Sequence, residues 1–311
     1  MPKKTDIGGQ AVIEGVMMRG KDKIAVAIRR PDGEIEVKVE DSIPIAKKNK
    51  IFSLPIIRGA VSLFDSLAAG LKTLSYSASF YEEEESSFDR FMKKIFGDRA
   101  DSILMGITML ISFAIAIGLF FILPTYTASL VKKINGNSII INFLEGIIRL
   151  VLFFAYLYFI SNMEDIQRVF QYHGAEHKSI YCYENELELT PENAEKFSTL
   201  HPRCGTNFLL IVMVVSIFIF SFLGWPNLYY RILSRIILLP LVAGISYEIL
   251  KYFGRSDSKL IKIFIKPGLL LQKMTTREPD RSQLEVAIKA LKAVIYDDNL
   301  QKGNDEISEG I

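Results

Sequence analysis

Four long apolar stretches divide the chain into apolar and polar segments. They cover residues 103–123, 139–161, 206–224 and 229–253, and the first carries no charged residue and is followed by Pro124. Because about 20 apolar residues in a helix cross the roughly 30 Å hydrocarbon layer of a bilayer, each stretch is long enough to span a membrane. The pattern predicts a mainly α-helical, polytopic membrane protein with about four transmembrane helices.

Charged residues interrupt two of these stretches. Glu145 and Arg149 lie four residues apart in the second stretch, so on a helix they would face each other and pair. The pair lies either near the outer membrane interface, which we favour, or at a functional site. Arg231 and Arg235 lie at one end of the fourth stretch, which is the weaker span, and long side chains can snorkel to the interface.

The distribution of basic residues predicts the orientation. With four spans, both chain termini and the polar segment 162–205 lie on one side of the membrane. That side carries most of the Lys and Arg near the spans, whereas the other side has mainly Lys132, Lys133 and Arg231. The positive-inside rule therefore places the termini and segment 162–205 in the cytoplasm.

The N-terminal region, residues 1–100, is predicted to be cytoplasmic and to begin with a glycine-rich segment. Residues 8–20 contain four glycines, which indicates tight turns or close backbone contacts. The Gly-Lys-Ser/Thr ending of a phosphate loop is missing. Glu14 and Arg19 are the polar residues of this segment that could contact a substrate. We favour the alternative, in which the segment is a structured loop that packs on the rest of the protein.

A hairpin and an amphipathic helix are predicted next. Residues 24–30 and 35–40 are rich in β-branched residues and flank a Pro-Asp-Gly-Glu turn, which indicates a β-hairpin with one face in water. Apolar residues recur at helical spacing from 56 to 74. That helix lies either on the membrane surface or on the polar segment, and the acidic run 82–85 after it is predicted to be a solvated linker.

Composition narrows the class of protein. Half of the 311 residues are hydrophobic and the mean hydropathy is +0.24, which is too apolar for an ordinary soluble domain. The formal net charge of +2 gives no field that would suggest a nucleic-acid partner. Two cysteines make a disulfide framework unexpected, and no secretory signal follows the N-terminus.

The candidate chemistry lies in segment 162–205, predicted as a loop that begins with a helical continuation of the second span. The chain has three histidines, and all of them fall here or at its edge: His173, His177 and His201. His173 and His177 are four residues apart, so on a helix both imidazoles share one face and can bind one divalent ion. Glu176 leans over the same face and could act as the general base for a metal-activated water. The order His-x-x-Glu-His is that of the inverted zincins.

A third ligand is needed to complete such a site. His201 and Cys204 are the candidates, since imidazole and thiolate are usual zinc ligands. The carboxylate alternatives are Glu184, Glu186 and Glu188. Two alternatives remain. The histidines could form a polar surface without a metal, or they could bind a metal that only stabilises the fold, since four protein ligands are available. Glu176 favours the catalytic alternative, since a structural site needs no base beside it.

The tail, residues 254–311, is predicted to be cytoplasmic and amphipathic. A basic and apolar run at 259–266 suits a membrane surface. Further on, residues 282–295 predict a helix with an apolar stripe, most simply a packing face. The stripe consists of Leu284, Ala287, Ile288, Leu291 and Val294.

Four sequence motifs together resemble the bacterial YqhQ-like family of multi-pass membrane proteins. They cover residues 9–19, 172–178, 201–206 and 275–280, and they occur in that order along nearly the whole chain. The resemblance implies a plasma-membrane protein of a domain family of unknown function that is a predicted metal-dependent enzyme. It implies no substrate.

These observations support three functional hypotheses. The first is an integral membrane hydrolase with zinc or another divalent transition metal, held by His173 and His177 with His201 or Cys204, and with Glu176 as catalytic base. Its substrate would be a membrane protein, a peptide or a lipid headgroup at the inner bilayer surface, and Arg203 or Lys178 could stabilise a developing oxyanion. The second is a non-enzymatic scaffold or assembly factor with a structural metal site. The third, a transporter, has little support in four spans, although a homo-oligomer is compatible with the sequence and would supply a pore.

Overall fold

The computed structural model of the chain describes residues 5, 7–81, 87–132, 137–224, 226–255 and 258–308. The predicted acidic linker 82–85 and Lys133 lie outside these residues. The described part is mainly helical, with one small N-terminal sheet, as the sequence predicts. The strands are β1 Gly8–Val12, β2 Gly15–Arg19, β3 Lys23–Arg29 and β4 Ile35–Asp41, and the helices are α1 Ile45–Lys48, α2 Ile57–Ala78, α3 Ser87–Phe96, α4 Ala100–Ile117, α5 Leu123–Lys132, α6 Ser138–Ile160, α7 Glu164–Glu184, α8 Pro191–Ala194, α9 Gly205–Ser221, α10 Leu228–Arg255, α11 Lys259–Thr275 and α12 Arg281–Ser308.

Two compact units make up the chain. The first unit combines residues 1–81, 157–212 and 240–311, and the second combines 82–156 and 213–239. Residues 1–81 of the N-terminal region, the motif segment and the tail, which the sequence suggests as separate regions, therefore belong to the first unit, whereas residues 82–100 belong to the second.

The sheet of the first unit is an antiparallel meander in the order β1-β2-β3-β4. The pairing of β3 with β4 confirms the predicted hairpin, and β4 is exposed at Val37, Lys38, Val39 and Asp41. The glycine-rich segment, predicted as a loop, instead forms β1 and β2, which pair from Gly8 opposite Arg19 to Val12 opposite Gly15. Its apolar residues lack the alternation of a half-buried strand because β2 is covered on both faces.

Helices cover both faces of this sheet. Val16 and Met18 face α7 and the apolar stripe of α12, which confirms that stripe as a packing face. Met17 and Val26 face the other way, against Ala69 and other residues of α2 and the turn after it. The sheet is thus the middle layer of the first unit.

Helix α2 confirms the predicted amphipathic helix, but its apolar stripe faces outwards. Phe64 and Leu67 are 58% and 53% exposed, whereas Gly59, Gly70 and Thr73 are buried. The small residues allow close packing: a Cβ on Gly59 would lie 2.6 Å from the Tyr247 Cβ of α10. An outward apolar face suits the membrane-surface prediction for this helix better than packing on the motif segment.

The predicted spans appear as three long apolar helices and one shorter helix among the described residues. The helical stretches Ser102–Val131, Ser138–Ile160 and Tyr229–Gly254 are long and apolar enough to cross a membrane. The third predicted span, 206–224, forms α9, Gly205–Ser221, whose 17 residues extend about 26 Å. Four spans therefore remain a prediction.

The first span does not end at Pro124 as predicted. A π-helical turn at Gly118–Ile122 joins α4 to α5, and the helical path continues to Lys132. Pro124 is the second residue after that turn. Proline cannot donate a helical hydrogen bond. A π-helical turn next to it adjusts the local backbone pairing, so the helix continues past Pro124.

Candidate metal centre

Helix α7 carries the His-x-x-Glu-His motif, so most of the predicted loop 162–205 is helical. Glu164 and Asp165 occupy its first turn, where negative charge is favourable at a helix N-terminus. His173 and His177 lie one turn apart on the same face, with ring centroids 4.5 Å apart. The helical spacing that the sequence indicates is therefore present.

Cys204 joins the two histidines. One ligand atom from each of His173, His177 and Cys204 lies within 4.8 Å of the other two, and these three form the one candidate metal-ligand group found among the described residues. The His173 Nε2 atom is 3.1 Å from the Cys204 Sγ atom. Cys204 lies directly before α9, so the start of this helix brings the thiol to the imidazoles of α7.

Backbone carbonyls orient both imidazoles. The Thr275 carbonyl oxygen lies 2.8 Å from His173 Nδ1, and the Thr199 carbonyl oxygen accepts a hydrogen bond from His177 Nδ1. The His177 Nε2 atom is buried and has no hydrogen-bond partner in the described part of the chain. Metal-binding histidines characteristically donate one ring N–H to such an oxygen and present the other nitrogen to the ion. The orphaned Nε2 atom and the nearby thiol therefore fit a divalent transition metal.

His201 lies next to this group but faces another partner. Its ring centroid is 5.5 Å from that of His177 and its Nε2 atom is 3.7 Å from a Glu184 carboxylate oxygen. Burial would raise the pKa of Glu184, but hydrogen bonds from His201, Thr5 and Arg203 outweigh it and lower this pKa to about 2. Burial in turn lowers the pKa of His201. Of the four predicted ligands, the structure thus brings together three and places His201 behind them.

Glu176, the predicted base, is buried on α7 with 5% exposure. It lies against β1, where the Gly9 backbone N–H donates to its carboxylate. A Cβ on Gly9 would lie only 2.9 Å from Glu176 Cδ, so this glycine makes room for the carboxylate. Burial raises the pKa of Glu176 to about 7, although His173 and the Gly9 hydrogen bond oppose that shift.

The two cations suggested for an oxyanion site are engaged elsewhere. The Lys178 Nζ atom lies 2.8 Å from a Glu278 carboxylate oxygen and donates to the Glu195 carbonyl. Arg203 donates to Glu184 and to the Thr5 carbonyl. Both side chains therefore tie segments of the first unit together.

Glu14 and Arg19 also form structural contacts. Glu14 has a positive φ of 50° in the β1–β2 turn, and its carboxylate accepts hydrogen bonds from Arg168 and Tyr172 of α7. Arg19 donates to Asp65 of α2. These contacts match the structured segment that packs on the rest, which the sequence favours over a substrate contact.

Gln272 and Thr275 contribute to the centre although the sequence pattern did not single them out. The Gln272 side chain accepts from the His201 backbone N–H at 2.8 Å and donates to the His201 carbonyl at 2.7 Å. Thr275 acts through its carbonyl oxygen, which any residue type can supply. Only the position of Thr275 in the 275–280 motif pointed to this segment.

Comparison with known proteins places the chain in a family. The family model described as "Protein of unknown function (DUF1385)" matches residues 54–297. The chain belongs to this family. It is also 35% identical over 308 residues, covering 98% of this chain and 96% of the relative, to a Bacillus subtilis (strain 168) protein named "Uncharacterized protein YqhQ". No solved structure matches the chain.

Membership of this family confirms the YqhQ-like resemblance that the four motifs suggested. The family match includes α7, Cys204 and the 275–280 motif, and therefore the whole three-residue group. Neither the description of the family nor the name of the relative assigns an activity. A function for the centre therefore has to be argued from its chemistry.

Proposed function

We propose that this protein is a membrane-embedded, metal-dependent hydrolase whose centre consists of His173, His177 and Cys204. The observation that carries the proposal is the convergence of one ligand atom from each residue within 4.8 Å. The carbonyl contacts of both Nδ1 atoms and the partnerless His177 Nε2 atom support it, since a buried polar atom without a partner is costly unless a ligand satisfies it.

The donor set favours zinc, and another divalent transition metal is the alternative. Two imidazoles and one thiolate suit zinc, and three protein ligands leave one position of a tetrahedral ion open, as in catalytic zinc sites. Zinc bound there supplies Lewis acidity that activates water and polarises a carbonyl or phosphoryl oxygen. His201 supports the centre without binding the ion in this proposal, because it lies outside the three-residue group and its Nε2 atom faces Glu184 at 3.7 Å.

Glu176 is the proposed general base. It lies three residues after His173 on α7, and positions three apart on a helix are neighbours. The Gly9 N–H donates to its carboxylate, and in this proposal the carboxylate accepts a proton from water. Its role would be to take up that proton and pass it to the leaving group.

Membrane embedding gives the proposal its substrate class. The helices α4, α6 and α10 carry strongly exposed apolar side chains, such as Leu110 at 71%, Phe159 at 71% and Ile237 at 66%, which suit a lipid environment. We propose four spans in a bacterial plasma membrane, with α9 as the third span and with the termini and centre in the cytoplasm. A substrate at the inner bilayer surface would then be a membrane protein, a peptide or a lipid headgroup.

Metal content tests this proposal directly. Full-length protein purified in detergent should carry about one zinc ion per chain, and His177→Ala and Cys204→Ala should reduce it to trace levels. Cys182→Ala is the matched control, because Cys182 is also buried but hydrogen-bonds to the Glu188 carbonyl oxygen. Equal metal in the wild type and in all three variants would refute the centre.

A structural metal site in a membrane scaffold is the second candidate. The observation that favours it is the burial of Glu176 and its hydrogen bond from the Gly9 N–H, which also fit a carboxylate that fastens β1 to α7. Glu176→Gln keeps the size and the acceptor for that N–H but removes the base. If this variant keeps metal and thermal stability yet loses the cellular phenotype of the wild type, the hydrolase is supported; full retention of the phenotype supports the scaffold.

A further inference from the structure

Buried arginines concentrate in the second unit. Arg231 and Arg235 lie one helical turn apart near the start of α10 and are 7% and 4% exposed. Arg149 of α6 is a third, with an 11% exposed side chain. Glu145 is the one acidic residue whose side chain is described within 87–156 and 213–239. Among the described side chains, the three guanidinium groups and Glu145 therefore form a buried charged cluster between apolar helices.

Glu145 accepts four hydrogen bonds from the side chains around it. Both nitrogens Nη1 and Nη2 of Arg235 donate to its two oxygens. Arg149 Nη2 and Thr125 Oγ1 each donate to its Oε1 atom at 2.9 Å. Three of these donors share the Oε1 atom and one donates to the Oε2 atom, so Glu145 already engages Arg149 and Arg235. The Arg235 Nε atom is buried and has no hydrogen-bond partner among the residues described.

A cavity of about 340 Å³ opens beside these arginines. Its polar lining is Asn142, Tyr230, Ser234, Arg231 and Arg235, and its apolar lining includes Leu223 and Ile237. The first turn of α10 also borders it, and the Asn227 side chain accepts from the Tyr230 backbone N–H at 3.1 Å. The positive end of the helix dipole adds to the charge of the two arginines on this side of the cavity.

We propose that this cavity binds an anionic phosphate group, either that of an anionic phospholipid or free inorganic phosphate. Guanidinium groups match the oxygens of phosphate in bidentate geometry, and basic pockets between membrane helices bind lipid headgroups. The volume falls in the range of small-molecule sites, about 300–1,000 Å³. Apolar side chains on the wall favour the lipid, since they would contact the carbon chain next to the headgroup. This proposal does not depend on the metal centre.

The test is a binding measurement on full-length protein in a non-ionic detergent. The probes are dihexanoyl phosphatidylglycerol, inorganic phosphate and dihexanoyl phosphatidylcholine. Arg231→Gln should weaken binding by about tenfold or more, the effect of losing a charged hydrogen bond, and Ser234→Leu should do so by filling the cavity without a change of charge. Lys251→Gln is the control, because it removes the same charge from the same helix at a residue that does not line the cavity.

The three probes separate the outcomes. Binding of phosphatidylglycerol that both cavity variants weaken, and that phosphate does not displace, assigns a lipid headgroup. Binding of phosphate itself with the same sensitivity assigns a free anion. Equal binding of phosphatidylcholine, or binding that neither cavity variant alters, would overturn the proposal. Ser234→Leu keeps the test valid if Arg231→Gln fails to fold.

Discussion

The contact between β1 and the motif helix allows a sharp test at one glycine. Replacing Gly9 by alanine adds a single methyl group on the strand that faces α7. That methyl carbon would lie 2.5 Å from the Met17 carbonyl oxygen and 2.9 Å from Glu176 Cδ. Both separations are shorter than non-bonded atoms tolerate, so either the strand pairing or the carboxylate has to move.

The size of the effect follows from the cost of overpacking. An extra methyl group in a closely packed site costs about 1–3 kcal/mol. Since 1 kcal/mol shifts the melting temperature of a unit of 150–250 residues by about 2–4 °C, Gly9→Ala should lower it by about 2–12 °C. The three metal-ligand residues are not among the nearest atoms of this methyl group, so metal content should stay at the wild-type level.

Gly8→Ala is the matched control. A Cβ on Gly8 meets no atom within 4 Å, and the two substitutions change the unfolded chain alike. Thermal unfolding in the same detergent, together with metal analysis, compares the two variants with the wild type. If Gly9→Ala and Gly8→Ala melt at the same temperature, the packing of Glu176 against β1 is not as the structure shows.

Two further substitutions test the supporting segments. Gly174→Ala would place a methyl carbon 2.1 Å from the Arg277 carbonyl oxygen. Because this methyl group would displace the segment whose Thr275 carbonyl orients His173, zinc affinity should fall about 10–100-fold. Gly205→Ala is the control, since Gly205 has open space around it and zinc affinity should not change. Asp280 caps α12 by accepting a hydrogen bond from the Gln283 N–H. Burial alone would raise the pKa of Asp280, but hydrogen bonds from Ser282 and Gln283 outweigh burial and lower it. Asp280→Ala should therefore cost about 1 kcal/mol near neutral pH, and urea unfolding should show this difference vanish as the pH falls through the folded-state pKa of the carboxyl, below 3.8.

Periodic patterns predicted the helices and the β3–β4 hairpin, because these elements depend on neighbours in sequence. The β1–β2 hairpin was missed for a physical reason. Strand β2 is covered on both faces, so its hydrophobic residues do not alternate with polar ones. Its two-residue turn is Ile13-Glu14, with Glu14 at positive φ, and this turn lacks the Asn-Gly or Asp-Gly signal of a tight hairpin.

The apolar stripe of α2 shows a different limit of the same reasoning. Periodicity predicts the helix but not which face packs against the protein. In water the apolar face packs inwards, whereas beside lipid the apolar face can be exposed. In this chain Gly59, Gly70, Thr73 and Ser77 of α2 are buried and Phe64 is 58% exposed. Small residues at helix contacts and large apolar residues outside are typical of helices in or at a membrane.

Ligand types could be predicted from the sequence, but the choice between His201 and Cys204 could not. Both residues suit zinc and they lie three positions apart, so spacing does not separate them. Their contacts in the structure separate them. The His201 Nε2 atom faces Glu184 at 3.7 Å, whereas the Cys204 Sγ atom faces His173 Nε2 at 3.1 Å. Glu184 was a candidate ligand itself and instead forms the contact that turns His201 away.

The four sequence motifs, far apart along the chain, gain a common explanation in the first unit. The glycine-rich motif supplies the Gly9 contact to Glu176, and the 201–206 motif supplies Cys204. The 275–280 motif supplies the Thr275 carbonyl oxygen to His173. The other three motifs thus each place a group against the 172–178 segment of α7, which happens only in the folded chain. No single segment holds a complete site. Formation of the centre is therefore coupled to folding of the whole first unit, so that an ion bound to the centre would stabilise that unit by a free energy that grows with the logarithm of its affinity.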